Sequence, residues 1–337
     1  MAKLGEVFTI ASGGTPDKKK PFYYENGTIP WVKTGDLKTQ YVPTGIDCIT
    51  EEGLNNSPAK LFPPNTVLVA MYGATIGACS ILSYEAATNQ ACAAFLPNEN
   101  VLPTYLYYFL LSKRDQFVKD GVGGAQPNIS AGYLKNVQFD LVPVRQQEVI
   151  VERLDEIENL IALRKEQLAK LDQLVKSRFI EMFGDCLTNP KGWKTKCLED
   201  IAEVGSSKRV FVEELQEDGI PFYRGTEVGA LAEGKQITPE LFITEEHYTE
   251  LCEATGTPQI GDLLMPSICP DGRIWVVNTD KPFYFKDGRV LWVHAIDASY
   301  HPVFLLYTLK DRIMTDYRQL GGICPQSDWP KSGGRQC

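Results

Sequence analysis

The chain has 337 residues, 43% of them hydrophobic, and a formal net charge of −9. That length exceeds one ordinary core and predicts two domains with a connector. No apolar run reaches the roughly 18 residues of a membrane-spanning helix, and the opening MAKLGEVFTI lacks the features of a secretory signal, so a cytoplasmic location is expected.

The acidic balance argues against a surface that is basic throughout, yet leaves room for a local basic cleft. Nine cysteines form no C-x-x-C pair and are expected mostly as small buried hydrophobes. Three histidines do not supply the paired ligands of a zinc site, so no metal is expected.

The first stretch opens with KLGEVFTIASGGTP (3–16) and continues through GTIPWVKTGDL (27–37) and LFPPNTVLVAMYGATIGACSIL (61–82). Proline-led turns, short apolar runs and glycine-bearing turns predict short strands. PTYLYYFLLSKRDQFVKDGVGG (103–124) then predicts one amphipathic helix stopped at Gly-Gly.

Next comes a segment free of glycine and proline. Ile150, Leu154, Ile157, Ile161, Leu168, Leu171, Val175 and Met182 recur in steps of four and three, with Arg164 and Arg178 in the two skipped places. This is the heptad period of a coiled-coil seam. Pro143 suits the start and Gly184 the stop, giving a rod of about 55 Å that needs a partner helix for its seam.

Beyond the rod the first pattern returns in order. CLEDIAEVGSSKRV (197–210) answers the opening, with Leu198 for Leu4 and Ile201 for Val7. DGIPFYRGTEV (218–228) answers GTIPWVKTGDL, and HPVFLLYTLKDRIMTDYRQLGG (301–322) answers the helix at 103–124. The offset drifts only from about 191 to about 198 residues, so the copies are collinear. The expected architecture is α+β: two similar domains (1–142 and 186–322) of short strands plus helices, separated by a long coiled-coil-type helix (143–185). A polar, turn-rich tail (323–337) follows.

LGEVFTIASGGTP, IPWVKTGDL, GATIGACSIL, TNQACAAF, GGAQPNIS and LVPVRQQEVIVERLDEIENLI together resemble the DNA-specificity subunit of type I restriction–modification enzymes. The resemblance implies two target-recognition domains, each reading one half of a bipartite double-stranded DNA sequence, with conserved helices as a ruler. It implies docking of modification (methyltransferase) subunits and of restriction/motor subunits, no active site in this chain, and S-adenosylmethionine, ATP and Mg on the partners. The family order is domain, helix, domain, helix, and residues 323–337 do not read as the second helix. Two further readings therefore stand beside the main one: a homodimer through the unpaired helix, and a truncated or silent homologue acting as a non-DNA-reading assembly partner or decoy.

Candidate DNA contacts are polar and basic residues in turns, where base edges and phosphates are reached. In the first domain these are Ser12, Gly13, Gly14, Thr15, Lys18, Lys19, Lys20, Lys33, Thr34, Tyr72, Thr75, Asn89, Gln90, Gln126 and Asn128. In the second they are Ser206, Ser207, Lys208, Arg209, Arg224, Thr226 and Arg273. Enzyme signatures are missing: there is no N/D-P-P-aromatic stretch and no G-x-x-x-x-G-K-[ST], and for the E-G-K at 233–235 the Pro-Asp pairs at 16–17 and 270–271 lie too far upstream or on the wrong side for a nuclease.

Overall fold

The computed structural model describes residues 1–122, 128–268 and 271–319. It divides into two compact units, Met1–Glu166 and Gln167–Cys337. The tail, Gln126 and the Gly-Gly pairs at 123–124 and 321–322 lie outside the described residues, so the expectations that fall on them stay as expectations.

In the first unit Ile10–Ser12, Cys92–Phe95, Val67–Ala70 and Cys79–Ile81 form an antiparallel sheet in that order. The two central strands are buried on both faces. Val67, Val69, Ala93 and Phe95 enter one core, while Leu68, Ala70, Cys92 and Ala94 enter another. Two-sided burial explains why VLVA and CAAF read as continuous apolar runs rather than alternating ones. A second sheet runs Cys48–Ile49, Ile29–Val32, Ala86–Thr88, Leu61–Phe62, and its central pair is parallel.

The second unit repeats this order. Glu203–Gly205, Val290–His294, Leu263–Pro266 and Trp275–Val276 form its antiparallel sheet. Phe242–Ile243, Ile220–Tyr223 and Tyr284–Phe285 form the other, again with one antiparallel and one parallel pairing. Among the described residues the outer strand Leu61–Phe62 has no counterpart here. The first sheet of each unit is preceded by the same acid-capped turn: Glu6 accepts from the Lys3 N–H at 2.9 Å, and Asp200 from the Cys197 N–H at 3.2 Å.

One expected helix is two. Pro103–Ser112 and Arg114–Asp120 meet at Lys113 (ψ −1°), whose N–H bonds to the Leu110 carbonyl at 3.1 Å, a tightened turn. After the break Phe117 joins Leu106 and Leu110 in the core. In the second unit Pro302–Gln319 is continuous, and Phe304, Leu305, Leu309 and Ile313 cover the matching sheet face.

The long helix is Val144–Phe183, 40 residues, about 60 Å along its axis. Gly184 ends it at φ +85°, with its N–H on the Ile180 carbonyl at 2.7 Å. Its first turns belong to the first unit. Gln147 is buried, Ile150 and Val151 pack on the core, and Tyr108 donates to Asp155 at 2.5 Å. Ile150 therefore serves the first unit's own core, and Leu154 is half-buried. Ile157, Ile161, Leu168, Leu171, Val175 and Met182 are exposed, Leu168 at 63%. In the second unit Phe179 is buried against Phe183, Phe304 and Tyr307, and Lys176 pairs with Asp311 at 2.9 Å.

The cysteines follow the expectation only in part. Cys79 and Cys92 are buried, and burial pushes each thiol up to about 12. Cys48, Cys186, Cys197 and Cys252 are only partly buried.

Candidate nucleic-acid interface

Several candidate residues of each unit lie at the ends of the parallel strand pair, and backbone hydrogen bonds give the register. The Asn89 N–H donates to the Val32 carbonyl at 3.0 Å, and the Lys286 N–H to the Tyr223 carbonyl at 2.9 Å. The Met71 N–H donates to the Ala91 carbonyl at 2.8 Å, and the Ser267 N–H to the Arg289 carbonyl at 2.9 Å. Thus Asn89 corresponds to Lys286, Met71 to Ser267 and Ala91 to Arg289. The intervening turn is one residue longer in the second unit.

In the first unit the S-G-G-T segment crosses the end of Ala86–Thr88. The Gly14 N–H donates to the Thr88 carbonyl at 2.9 Å, the Trp31 indole donates to the Gly14 carbonyl at 3.1 Å, and Thr15 donates to Gln90 Oε1 at 2.6 Å. Tyr72 bridges to Asn128, and Thr75 donates to the Tyr72 carbonyl at 3.1 Å. Asn89 turns its side chain inward, accepting from the Ala91 N–H at 3.1 Å. Thr15, Tyr72, Asn89, Gln90 and Asn128 therefore sit on interlocked turns. Ser12 and Thr34 are half-buried.

The three lysines differ. Lys18 and Lys19 are exposed, with only the Lys19 backbone N–H tied down, on Asp17 at 3.0 Å. Lys20 reaches Tyr23, donating to its hydroxyl at 3.1 Å, and that bond raises the ammonium pKa. Lys33 pairs with Asp47, while its N–H donates to Asp36 at 2.8 Å.

In the second unit Ser206 and Ser207 are occupied internally. Ser206 Oγ donates to the Val290 carbonyl at 2.8 Å and accepts the Gly288 N–H at 3.0 Å. Ser207 Oγ donates to the Phe285 carbonyl at 2.6 Å. The Lys208 N–H donates to the Tyr284 hydroxyl at 3.0 Å, and Arg209 lies over the Phe211 ring. Both serines thus brace the turn at 286–289 rather than pointing away from it.

A cleft of about 600 Å³ opens beside that turn, lined in part by Arg224, Thr226, Ile268, Arg273, Lys286 and Arg289. Arg224 answers Lys33 of the first unit, and Glu227 answers Asp36: the Arg224 N–H donates to Glu227 Oε2 at 2.9 Å. The guanidinium also holds Glu227 and reaches Glu240 at 3.0 Å. Thr226 donates to Glu227 at 2.9 Å. Arg273 is held by Asp271 at 2.9 Å and faces Glu233 at 3.8 Å. Arg224 and Arg273 are thus charge-compensated braces of the cleft wall.

Burial pushes the Glu227 carboxyl up, but bonds from Arg224, Thr226 and backbone N–H groups outweigh it and hold it at about 2. A carboxylate depressed in the folded state contributes stability that is present above its unfolded value, 4.5, and lost as pH falls toward 2. Glu227→Gln should therefore lower the second unit's unfolding midpoint at neutral pH and flatten its pH dependence across that window. Thermal unfolding as a function of pH reads this, and an unchanged slope would remove Glu227 from the account.

Lys286 and Arg289 do not figure among the sequence candidates. The repeat carries the signal, because aligning TNQACAAF (88–95) with FKDGRVLWV (285–293) puts them in the turn that holds Asn89 and Gln90. The extra residue hides that alignment.

A family model described as "Type I restriction modification DNA specificity domain" matches residues 1–173. The chain is 30% identical over 267 residues to the type I restriction enzyme MjaIX specificity subunit of Methanocaldococcus jannaschii, covering 73% of this chain and 61% of that one. It is 29% identical over 189 residues to the EcoR124I/EcoR124II specificity subunit of Escherichia coli, covering 55% and 46% respectively. The chain thus spans about half to three fifths of the length of these curated relatives. A chain from a solved structure on complex assembly and conformational transition of the type I R-M system shares the fold, with TM-score 0.53 and 15% identity over 93% of this chain and 80% of that one. With more than half of its residues matched by the family model, the chain belongs to the type I restriction modification DNA specificity domain family.

Proposed function

We propose that this chain is the sequence-reading component of a type I restriction–modification complex, with each unit reading one half of a bipartite duplex target. The observation that carries this is the shared cradle. Two units with the same strand order and the same backbone hydrogen bonds around one turn carry different side chains on that turn. A constant scaffold with variable turn residues is what two readers of different base sequences need.

In this reading the long helix is the spacer and the docking element. Its exposed Leu168, Leu171 and Val175, all in the second unit, present an apolar stripe. A contiguous apolar stripe of this kind fits a partner helix better than water. Modification and restriction subunits are the partners, and S-adenosylmethionine, ATP and Mg belong to them. The test is adenine methylation mapped across the genome of a host expressing the full chain with its modification subunit. A two-part motif separated by a fixed gap is expected. Binding of the partner with no motif marked would favour the assembly-partner reading instead.

A further inference from the structure

We infer that Arg289 reads a guanine in the half-site assigned to the second unit. This inference rests on the sequence-reading function proposed above. Four cationic side chains line the cleft: Arg224, Arg273, Lys286 and Arg289. Arg224 is held by Glu227 and Glu240, Arg273 by Asp271, and Lys286 lies 3.4 Å from Asp287. Among the described residues the Arg289 guanidinium makes no hydrogen bond or ion pair. It is the cleft's uncompensated donor fork.

The backbone beneath it is fixed. The Arg289 carbonyl accepts from the Ser267 N–H at 2.9 Å, and Ser206 ties the residues on either side, Gly288 and Val290. A free fork on a braced turn has little backbone freedom left to lose on binding and keeps its donors for a ligand. The corresponding residue in the first unit is Ala91, which is buried. The two units therefore differ in chemistry at one shared backbone position, as readers of different half-sites should. The planar fork of arginine matches O6 and N7 of guanine in the major groove, a bidentate contact worth about 1–3 kcal/mol of discrimination, or roughly 5- to 150-fold.

The experiment maps adenine methylation in a host carrying the modification subunit and the full chain, either unaltered, Arg289→Ala or Arg289→Met. The methionine variant keeps an aliphatic stem without the fork, which guards against a simple folding defect in the alanine variant. Both variants are expected to relax one guanine position in one half of the motif by about tenfold, leaving the other half unchanged. An unchanged motif, or a loss of marking that is equal at every position, overturns the inference, the latter being the signature of a phosphate contact. If the unaltered chain marks no motif, the failure belongs to the functional reading and not to Arg289.

Discussion

Replacing Gln147 by alanine should lower the stability of the first unit by about 2–3 kcal/mol, while Gln146→Ala should stay within about 0.5 kcal/mol. Gln147 is fully buried where the long helix meets the first core. Its Nε2 donates to the Asn100 carbonyl at 2.8 Å and to the Val142 carbonyl at 2.7 Å, and its Oε1 accepts the Leu102 N–H at 2.9 Å. Alanine leaves these backbone groups without partners, and a stranded buried polar group costs more than a net hydrogen bond contributes. Gln146 is exposed and its side chain makes none of these bonds.

For a unit of this size the loss corresponds to a fall of about 4–12 °C in unfolding midpoint. Hydrogen exchange at the Leu102 amide should accelerate in the Gln147 variant alone. Equal shifts for the two glutamines would mean that the first turn of the helix, not this clamp, fixes the junction. A loosened junction would also blur the geometry on which a spacer role depends, so the variant links folding to function.

The same residue shows what was legible in advance. The Q-Q pair marks the start of the long helix in the sequence, and Val144–Phe183 is that helix. The sequence does not say which glutamine turns inward, because that depends on where the loop at 98–102 passes. The internal repeat was legible because Ile-Pro-aromatic runs fall on a parallel pairing in both units, an arrangement that constrains side chains strongly. Arg224 is a candidate by residue type, and the structure adds two partners, Glu227 in its own capping turn and Glu240 in the segment leading into Phe242–Ile243. Pairing across a sheet is a tertiary fact that residue type alone does not disclose. The break at Lys113 was illegible for a similar reason, since no glycine or proline marks it and Phe117 belongs to the tertiary core.

Gly13→Ala should destabilise the first unit by about 2–3 kcal/mol, whereas Gly35→Ala should be nearly neutral. A β-carbon at Gly13 would fall 2.0 Å from the Thr88 carbonyl oxygen and 2.6 Å from its Oγ1, while one at Gly35 would meet nothing within 4 Å. The clash at Gly13 is with backbone, which cannot rotate away, so the two segments must part. Parting them breaks the Gly14–Thr88 bond and, with it, the alignment of Thr15 on Gln90. Serine offers no escape, although Ser207 in the second unit makes the equivalent tie through its hydroxyl to the Phe285 carbonyl. There the crossing is held by a side chain; in the first unit the backbones themselves touch, and the β-carbon of serine meets the same 2.0 Å obstacle. Thermal unfolding of Gly13→Ala, Gly13→Ser and Gly35→Ala checks the ranking. On the proposed function, the first two should also degrade methylation through the half-site read by the first unit. If Gly13→Ser proves as stable as the unaltered chain, the crossing has room that the present geometry denies, and the S-G-G-T segment would owe its glycines to a ligand instead of to Thr88.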